Sequence, residues 1–419
     1  MKKKLGLIIV AALFGLSVLV ITSKPSQALP NFAKKHEASC SKCHTVWPAL
    51  NNFGLQYLIN GFQMPETEDG GDVGKIKPDE HLMLDSGNAN PPLSVRMQIE
   101  TDITRDEKSE LGTNRQAALL EARQAQVALL LGGTIGKNLS YYAVDAAART
   151  AAGGVEQMWI GVNNLGGPGI VNVRYGLIPN SDFDARSGHR HDLGAGLSHS
   201  GVISSTIGTT STFSDIDVDA VGLQVFGRPG FGPLTYMVNA DTHDRSFTNS
   251  INYGLLIRGD MGPFAVSYHY AGNNARKDTW DGKDISRTSH MISARAIIPN
   301  FEASIAYGIY NQTDKSGAQD VKDDTNAFVL EGIYFTEMFD VQAQYGIRDT
   351  KRDPKVSLTN GNTDDANDQS QFLIKVDFRP TENSKIFLKF VSNSLKTENL
   401  KNNDSFTDDY TSIGVDWAF

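Results

Sequence analysis

From about residue 91 to the C-terminus the chain is written in a two-residue period. Phe339, Val341, Ala343, Tyr345 and Ile347 alternate with Asp340, Gln342, Gln344, Gly346 and Arg348. Phe264, Val266, Tyr268 and Tyr270 alternate with Ala265, Ser267 and His269. The same holds for Phe301–Ile309 and Phe372–Arg379. Successive side chains of a strand point to opposite faces, so each segment is a strand with one apolar and one polar face. Two architectures accept such strands. A soluble sandwich buries the apolar faces in a core. A transmembrane barrel turns them to lipid and keeps the polar faces in its lumen.

Three features select the barrel. The apolar faces are rich in aromatics, as lipid-facing strands with interfacial girdles require. Connections alternate short (Pro299-Asn300, Thr336-Glu337) and long (Gly272–Arg287, Asn311–Thr325, Asp349–Gln369), matching short periplasmic turns and long outer loops. The last strand places Ile413, Val415, Trp417 and the terminal Phe419 on one face, an ending that resembles the assembly signal of bacterial outer-membrane proteins. The expectation is an all-β transmembrane outer-membrane barrel of about 16 antiparallel strands over residues 91–419. The region from Gly194 to Thr212 is the hardest to divide into strands. An even count brings both barrel ends to the periplasmic side.

The N-terminus differs in kind. Basic Met1–Lys4, an apolar run from Leu5 to about Ile21 and small Ser26–Ala28 form a secretory signal, residues 1–28. A retained membrane anchor is the alternative, though the run is near the short end of what spans a bilayer. The chain then spends its only two cysteines on Cys40-Ser41-Lys42-Cys43-His44. C-x-x-C-H is the attachment signature of c-type haem. Two thiols add to the two vinyl groups on one edge of the porphyrin, and the adjacent imidazole ligates the iron. A chance match, a lone disulfide, a redox CxxC and a zinc site are the competing readings, the last lacking a second Cys or His pair at matching spacing. Haem c, one per chain and covalent, is the expected cofactor, with Cys40, Cys43 and His44 holding it. For the sixth iron position the candidates are Met64, His36, His81, Met83 or an open site, with Met64 in Phe62–Pro65 the first choice.

After the motif, Pro48 suits a first helical turn, Leu50, Phe53, Tyr57 and Leu58 recur at helical spacing, and Gly61 is a natural stop. This helix, near Pro48–Asn60, would cover a haem face or pack on the barrel wall. About sixty residues (29–90) make a small domain that needs a staple, which the haem and the barrel lumen supply. Acidic, glycine-rich Glu66–Gly74 reads as a linker. The segment is therefore expected in the lumen or its periplasmic mouth, with Arg174, Arg258, Gln344 or Lys375 among its neighbours.

Formal charge is −9, and the signal holds Lys2, Lys3, Lys4 and Lys24, so the mature chain is more acidic still. This argues against nucleic acid as a partner. Asp320, Asp323, Asp324, Asp364, Asp365 and Asp368 fall in the expected outer loops, as a solvated surface or an attractor of cations. No catalytic residues can be picked out.

Leu29–Lys35, Cys40–Thr45, Pro48–Gly54 and Asn60–Phe62 together resemble the start of the outer-membrane cytochrome–porin fusions, which carry one N-terminal haem followed by a barrel. The match covers about forty residues. It departs at Lys34, where arginine is common, and at Leu55, where arginine often follows the Phe-Gly pair. The resemblance implies electron transfer across the outer membrane, with an extracellular reductant such as Fe(II), a periplasmic electron-carrier cytochrome and outer-membrane lipid as partners. Other readings are a solute porin with a haem-bearing regulatory or structural plug, and a haem-based sensor.

Overall fold

The computed structural model describes residues 32–33, 36, 38–46, 49–64, 93–109, 115–117, 121–135, 138–146, 154–178, 182–186, 220–242, 251–273, 285–315, 320–353, 366–398 and 404–418. The signal, the linker Glu66–Gly74, the stretch Gly194–Thr212, Pro48, His81, Met83 and Phe419 lie outside them.

Two short strands, β1 (His44–Val46) and β2 (Ala49–Leu50), and helix α1 (Asn52–Ile59) form the N-terminal segment. The barrel follows as β3 (Leu93–Ser109), β4 (Arg115–Ala117), β5 (Glu121–Ile135), β6 (Leu139–Ala146), β7 (Gly154–Leu165), β8 (Val171–Ile178), β9 (Ala220–Gly227), β10 (Leu234–Thr242), β11 (Asn252–Met261), β12 (Phe264–Asn273), β13 (Ile285–Ile298), β14 (Phe301–Asp314), β15 (Val321–Phe335), β16 (Phe339–Asp353), β17 (Ala366–Thr381), β18 (Ser384–Glu398) and β19 (Asp404–Ala418). Every barrel pairing is antiparallel; β5 pairs back to β3 past the short β4, the other strands pair with chain neighbours, and β19 closes on β3. The short β4 and the longer β5 pair with successive parts of β3, at Arg105↔Ala117 and Leu93↔Leu131. They share one place in the wall, which gives a closed barrel of sixteen strands.

The burial pattern decides between barrel and sandwich. On β12, Phe264 is 54% and Val266 43% exposed, whereas Ser267 and His269 are each 2% exposed. The same inversion runs through β16, where Phe339, Val341 and Tyr345 are exposed and Asp340, Gln342 and Gln344 are buried. A water-soluble sandwich would bury the apolar set. An apolar outside around a polar inside is the arrangement lipid requires.

Short turns gather at the end where β3 begins and β19 finishes: 262–263, 299–300, 336–338 and 382–383. At the other end the strands run further than the alternation suggested. β14, β15, β16 and β17 extend into the expected long loops, so Asp323, Asp324 and Asp368 lie on strands. Asp323 is buried towards the lumen and Asp324 is exposed. Polar strand ends defeat an apolar pattern, yet their backbone groups still pair across the ladder.

The lumen is not empty of chain. Residues 182–186, within the connection from β8 to β9, fold inward and are buried. The Ala185 amide donates to Ser267 Oγ (2.9 Å), Arg258 Nη1 donates to the Asp184 carbonyl (2.9 Å), and Arg186 pairs with Glu331 (2.6 Å). Arg174 lies over the rings of Trp159, Phe183 and Phe226 at 4.7–4.9 Å and pairs with Asp182 at 3.2 Å.

The N-terminal segment packs against lumen-facing side chains at the short-turn end. Arg295 Nη1 donates to the Leu50 carbonyl (2.6 Å) and Nη2 to Thr45 Oγ1 (3.2 Å), while Glu302 holds its guanidinium. Phe62 stacks on Trp159, ring centroids 5.7 Å apart. A Cβ on Gly132 would lie 2.7 Å from Phe32, so a bare backbone there lets the segment approach β5. The helix itself starts at Asn52, later than the Pro48 expected. Asn51 caps it by accepting from the Gly54 amide (2.9 Å), and Ala49–Leu50 are taken by the ladder with His44–Val46. A short polar side chain in extended conformation satisfies an orphan amide that no apolar residue could.

Candidate functional site

A 3-10 turn over Cys40–Lys42 brings the two cysteines together, closed by the Cys43 amide donating to the Cys40 carbonyl (3.2 Å). They are not joined by a disulfide. His44 then enters β1 opposite Leu50. Asn51 ties motif to helix. Its amide donates to the Cys43 carbonyl (2.9 Å), and its Nδ2 donates to the Lys42 (3.1 Å) and Ser41 (3.3 Å) carbonyls. Gly54 lets α1 lie against this turn, because a Cβ there would overlap the Cys43 carbonyl oxygen. On the barrel side, Glu382 accepts from the Cys40 amide (3.0 Å).

Cys40, Cys43 and His44 open on one cavity of about 330 Å³. Its segment wall includes Phe32, Leu50, Tyr57, Leu58 and Phe62, and its barrel wall includes Leu130, Tyr142 and Val144. The slot is largely apolar, with the two thiols and the imidazole on one side. That donor set fits a porphyrin: Cys40 and Cys43 would hold it through two thioethers and His44 would supply an imidazole to the iron.

The alternatives fare worse on the same geometry. Burial pushes the Cys40 thiol up to about 11, helped by the Glu382 carboxylate, and burial likewise pushes Cys43 up to about 11. A redox CxxC depends on a lowered thiol pKa, the opposite direction. Among the described residues no three His, Cys, Asp or Glu side chains gather in metal-binding geometry, short of the four ligands of a structural zinc.

Two of the sixth-ligand candidates reach the same cavity, Met64 and His36. His36 Nε2 is 2.9 Å from the Tyr57 hydroxyl, with the two rings edge to face. His81 and Met83 fall outside the described residues. Of the expected lumen neighbours, Arg258 Nη2 donates to Asn52 Oδ1 (3.4 Å), and Arg174 stands behind Trp159, on which Phe62 stacks. Lys375 pairs with Asp377 and lies over the Phe387 ring, and Gln344 is buried on β16. Sequence reasoning missed Arg295 and the stapling role of Asn51. Strand parity puts Arg295 on the lumen face, but parity cannot say which lumen residue the segment meets.

No protein-family model and no curated protein sequence matches the chain. Solved structures do. An anion-selective porin from Comamonas acidovorans superposes with a TM-score of 0.54 at 14% identity, over 78% of this chain and 99% of that one. OmpF of Salmonella typhi, in complex with daunomycin, gives 0.54 at 13%, over 78% and 97%. OmpT of Vibrio cholerae gives 0.52 at 12%, over 78% and 97%. The fold is that of an outer-membrane porin. The porin barrel is a bacterial outer-membrane wall, apolar outside and charged within.

Proposed function

We propose that this porin-fold barrel carries a c-type haem at its periplasmic mouth and passes electrons across the outer membrane, in the manner of the cytochrome–porin fusions that its N-terminus resembles. The observation that carries the reading is the cavity: both cysteines of the chain and the adjacent histidine line one apolar slot between the segment and the barrel wall. When bound, a haem c supplies a one-electron Fe(III)/Fe(II) couple. The chain's own residues do the rest. Cys40 and Cys43 would tether the group, His44 would supply an imidazole to the iron, and Leu58, Phe62, Leu130 and Val144 would exclude water. Tyr57 engages His36 Nε2, so of the two candidates that line the cavity Met64 would be the one to serve as the second iron ligand. Ser39, Ser41 and Lys42 are exposed beside the motif at the short-turn end, where a periplasmic electron-carrier cytochrome can dock. Fe(II) is the extracellular donor that the resemblance implies: it gives up one electron and the carrier gains one.

The test is stopped-flow absorbance of the purified protein mixed with Fe(II), run beside liposome swelling in small sugars. Reduction of a covalent haem without swelling supports the conduit. The solved structures that the chain resembles are porins, which favours a second reading, a solute porin in which the segment is a structural or regulatory plug. Sugar-driven swelling, with no reduction by Fe(II), would establish it.

A further inference from the structure

The cavity has two walls of different chemistry. The thiols and His44 belong to the N-terminal segment, and the opposite wall is barrel. Register makes that wall continuous: Ser94 faces Leu130, Leu130 faces Val144, and Val144 faces Gln157 across β3, β5, β6 and β7. Arg96 stands two residues from Ser94 on the same face of β3, opposite Ala418 of β19. It is the only Asp, Glu, Lys or Arg among the described residues that line the cavity.

Arg96 is held in place. Its Nε and Nη2 donate to the two carboxylate oxygens of Asp416 at 3.0 and 2.7 Å, a fork-to-fork pair. Lys385 Nζ lies 3.8 Å from the same carboxylate. Asp416 and Lys385 are buried, while the Arg96 side chain keeps 26% exposure and lines the cavity.

A haem bears two vinyl groups on one edge and two carboxylate side arms on the opposite edge. Thioethers to Cys40 and Cys43 would fix the vinyl edge at the segment and leave the carboxylate edge to the barrel residues that line the cavity. A carboxylate entering an apolar slot needs a charged or hydrogen-bonding partner there. We propose that Arg96, oriented by Asp416, anchors a carboxylate side arm of the bound porphyrin, with Ser94 and Gln157 as its polar neighbours on the wall. The inference rests on the haem reading above. It makes Arg96 a binding residue that joins the porin wall to the cofactor segment.

The test uses the full-length, haem-matured protein in detergent. Arg96→Gln should keep one covalent haem per chain, because the thioethers are untouched. Its resonance Raman band for carboxylate side-arm bending should shift. Losing a cation favours the oxidised iron, so at a fixed poise the Fe(II)/Fe(III) ratio should fall about tenfold, about 59 mV for one electron. Arg96→Lys should restore most of the ratio but not the band, since an ammonium lacks the planar fork. Lys351→Gln, on an exposed side chain, should change neither. An unmoved band in Arg96→Gln overturns the anchor, even where the ratio falls through the lost charge alone. Heat-modifiability of each variant shows that the barrel is intact. Absence of covalent haem from the unmodified protein overturns the haem reading itself, a result distinct from an unmoved band.

Discussion

The barrel wall and the N-terminal segment solve the same problem, how to bury polar backbone, by different means. The wall pairs each strand antiparallel with the strands beside it, and its information is repeated: each strand carries the same inside–outside code, so one strand checks another. The segment has one helix of two turns, a two-residue ladder and a 3-10 turn. It leans on single contacts: Asn51 to the motif, Arg295 to Leu50 and Thr45, Phe62 to Trp159. Repeated structure tolerates the loss of any one residue. Structure built on single contacts does not, and there substitutions should separate the two regions.

The largest separation comes from the cysteines. Cys40→Ala with Cys43→Ala should abolish covalent haem, read as haem-stained signal on a denaturing gel, while leaving barrel assembly and its heat-dependent mobility intact. Covalent haem retained in the double variant would sink the assignment. Lost barrel assembly would show instead that wall and segment fold as one unit.

Arg295→Ala comes next. The residue is pinned by Glu302 with both side chains buried, so truncation strands a carboxylate and also removes the two bonds to the segment. Breaking a buried pair this way costs about 3–5 kcal/mol. The expected outcome is a segment that proteases cleave within a barrel that still resists them. Arg295→Met with Glu302→Gln should recover most of the barrel's urea resistance but not the segment's protection. Equal protection of the segment in all three proteins would make Arg295 a wall residue only.

The thiols offer a chemical measure of the same contrast. In protein made without haem attachment, pKa values of about 11 leave roughly a hundredfold fewer thiolates at neutral pH than an unburied cysteine would hold. Iodoacetamide should label the folded, haem-free protein slowly at pH 7 and faster as pH approaches 11. The folded pKa values lie above the ordinary 9, so the unfolded thiols ionise first and the segment loses stability as pH climbs from about 9 through about 11. Rapid labelling at pH 7 would mean that the segment is undocked when empty. In the haem-loaded protein neither cysteine should react.

The barrel was legible because Phe264, Val266 and Tyr268 against Ser267 and His269 state a face, and many strands agree on it. Its upper edge was less legible, since Asp323 and Asp368 look like loop residues until pairing with Arg352 and Asp349 shows them on strands. The motif residues were legible from spacing alone, Cys40 to Cys43 to His44. What surrounds them was not. Arg96 and Arg295 lie 56 and 255 residues from Cys40 in number, on strands whose parity marks them as inward-facing and nothing more. Only three-dimensional closure of the barrel brings Arg96 to the cavity and Arg295 to the segment. The helix start was misplaced for a local reason, a proline being the more visible signal than the asparagine three residues on.

That asparagine gives the smallest predicted effect and the most specific one. Asn51 accepts from the Gly54 amide at the start of α1 and donates through Nδ2 to the Ser41 and Lys42 carbonyls. One side chain thus caps the helix and ties down the turn that carries both thiols. Asn51→Ala should cost about 1 kcal/mol through the lost cap. Asn51→Asp keeps the acceptor, and with it the cap, but cannot donate to the two carbonyls. If the cap is all that matters, Asp should equal Asn in thermal melts of the segment. If the tie to the turn matters as well, both variants should loosen it, and protease should cut between Ser39 and Lys42 faster in each than in the unmodified protein. The barrel's own melting should stay fixed throughout, because the hydrogen bonds Asn51 makes among the described residues all lie within the segment. A barrel transition that moved with the Asn51 variants would show the two regions to be one cooperative unit.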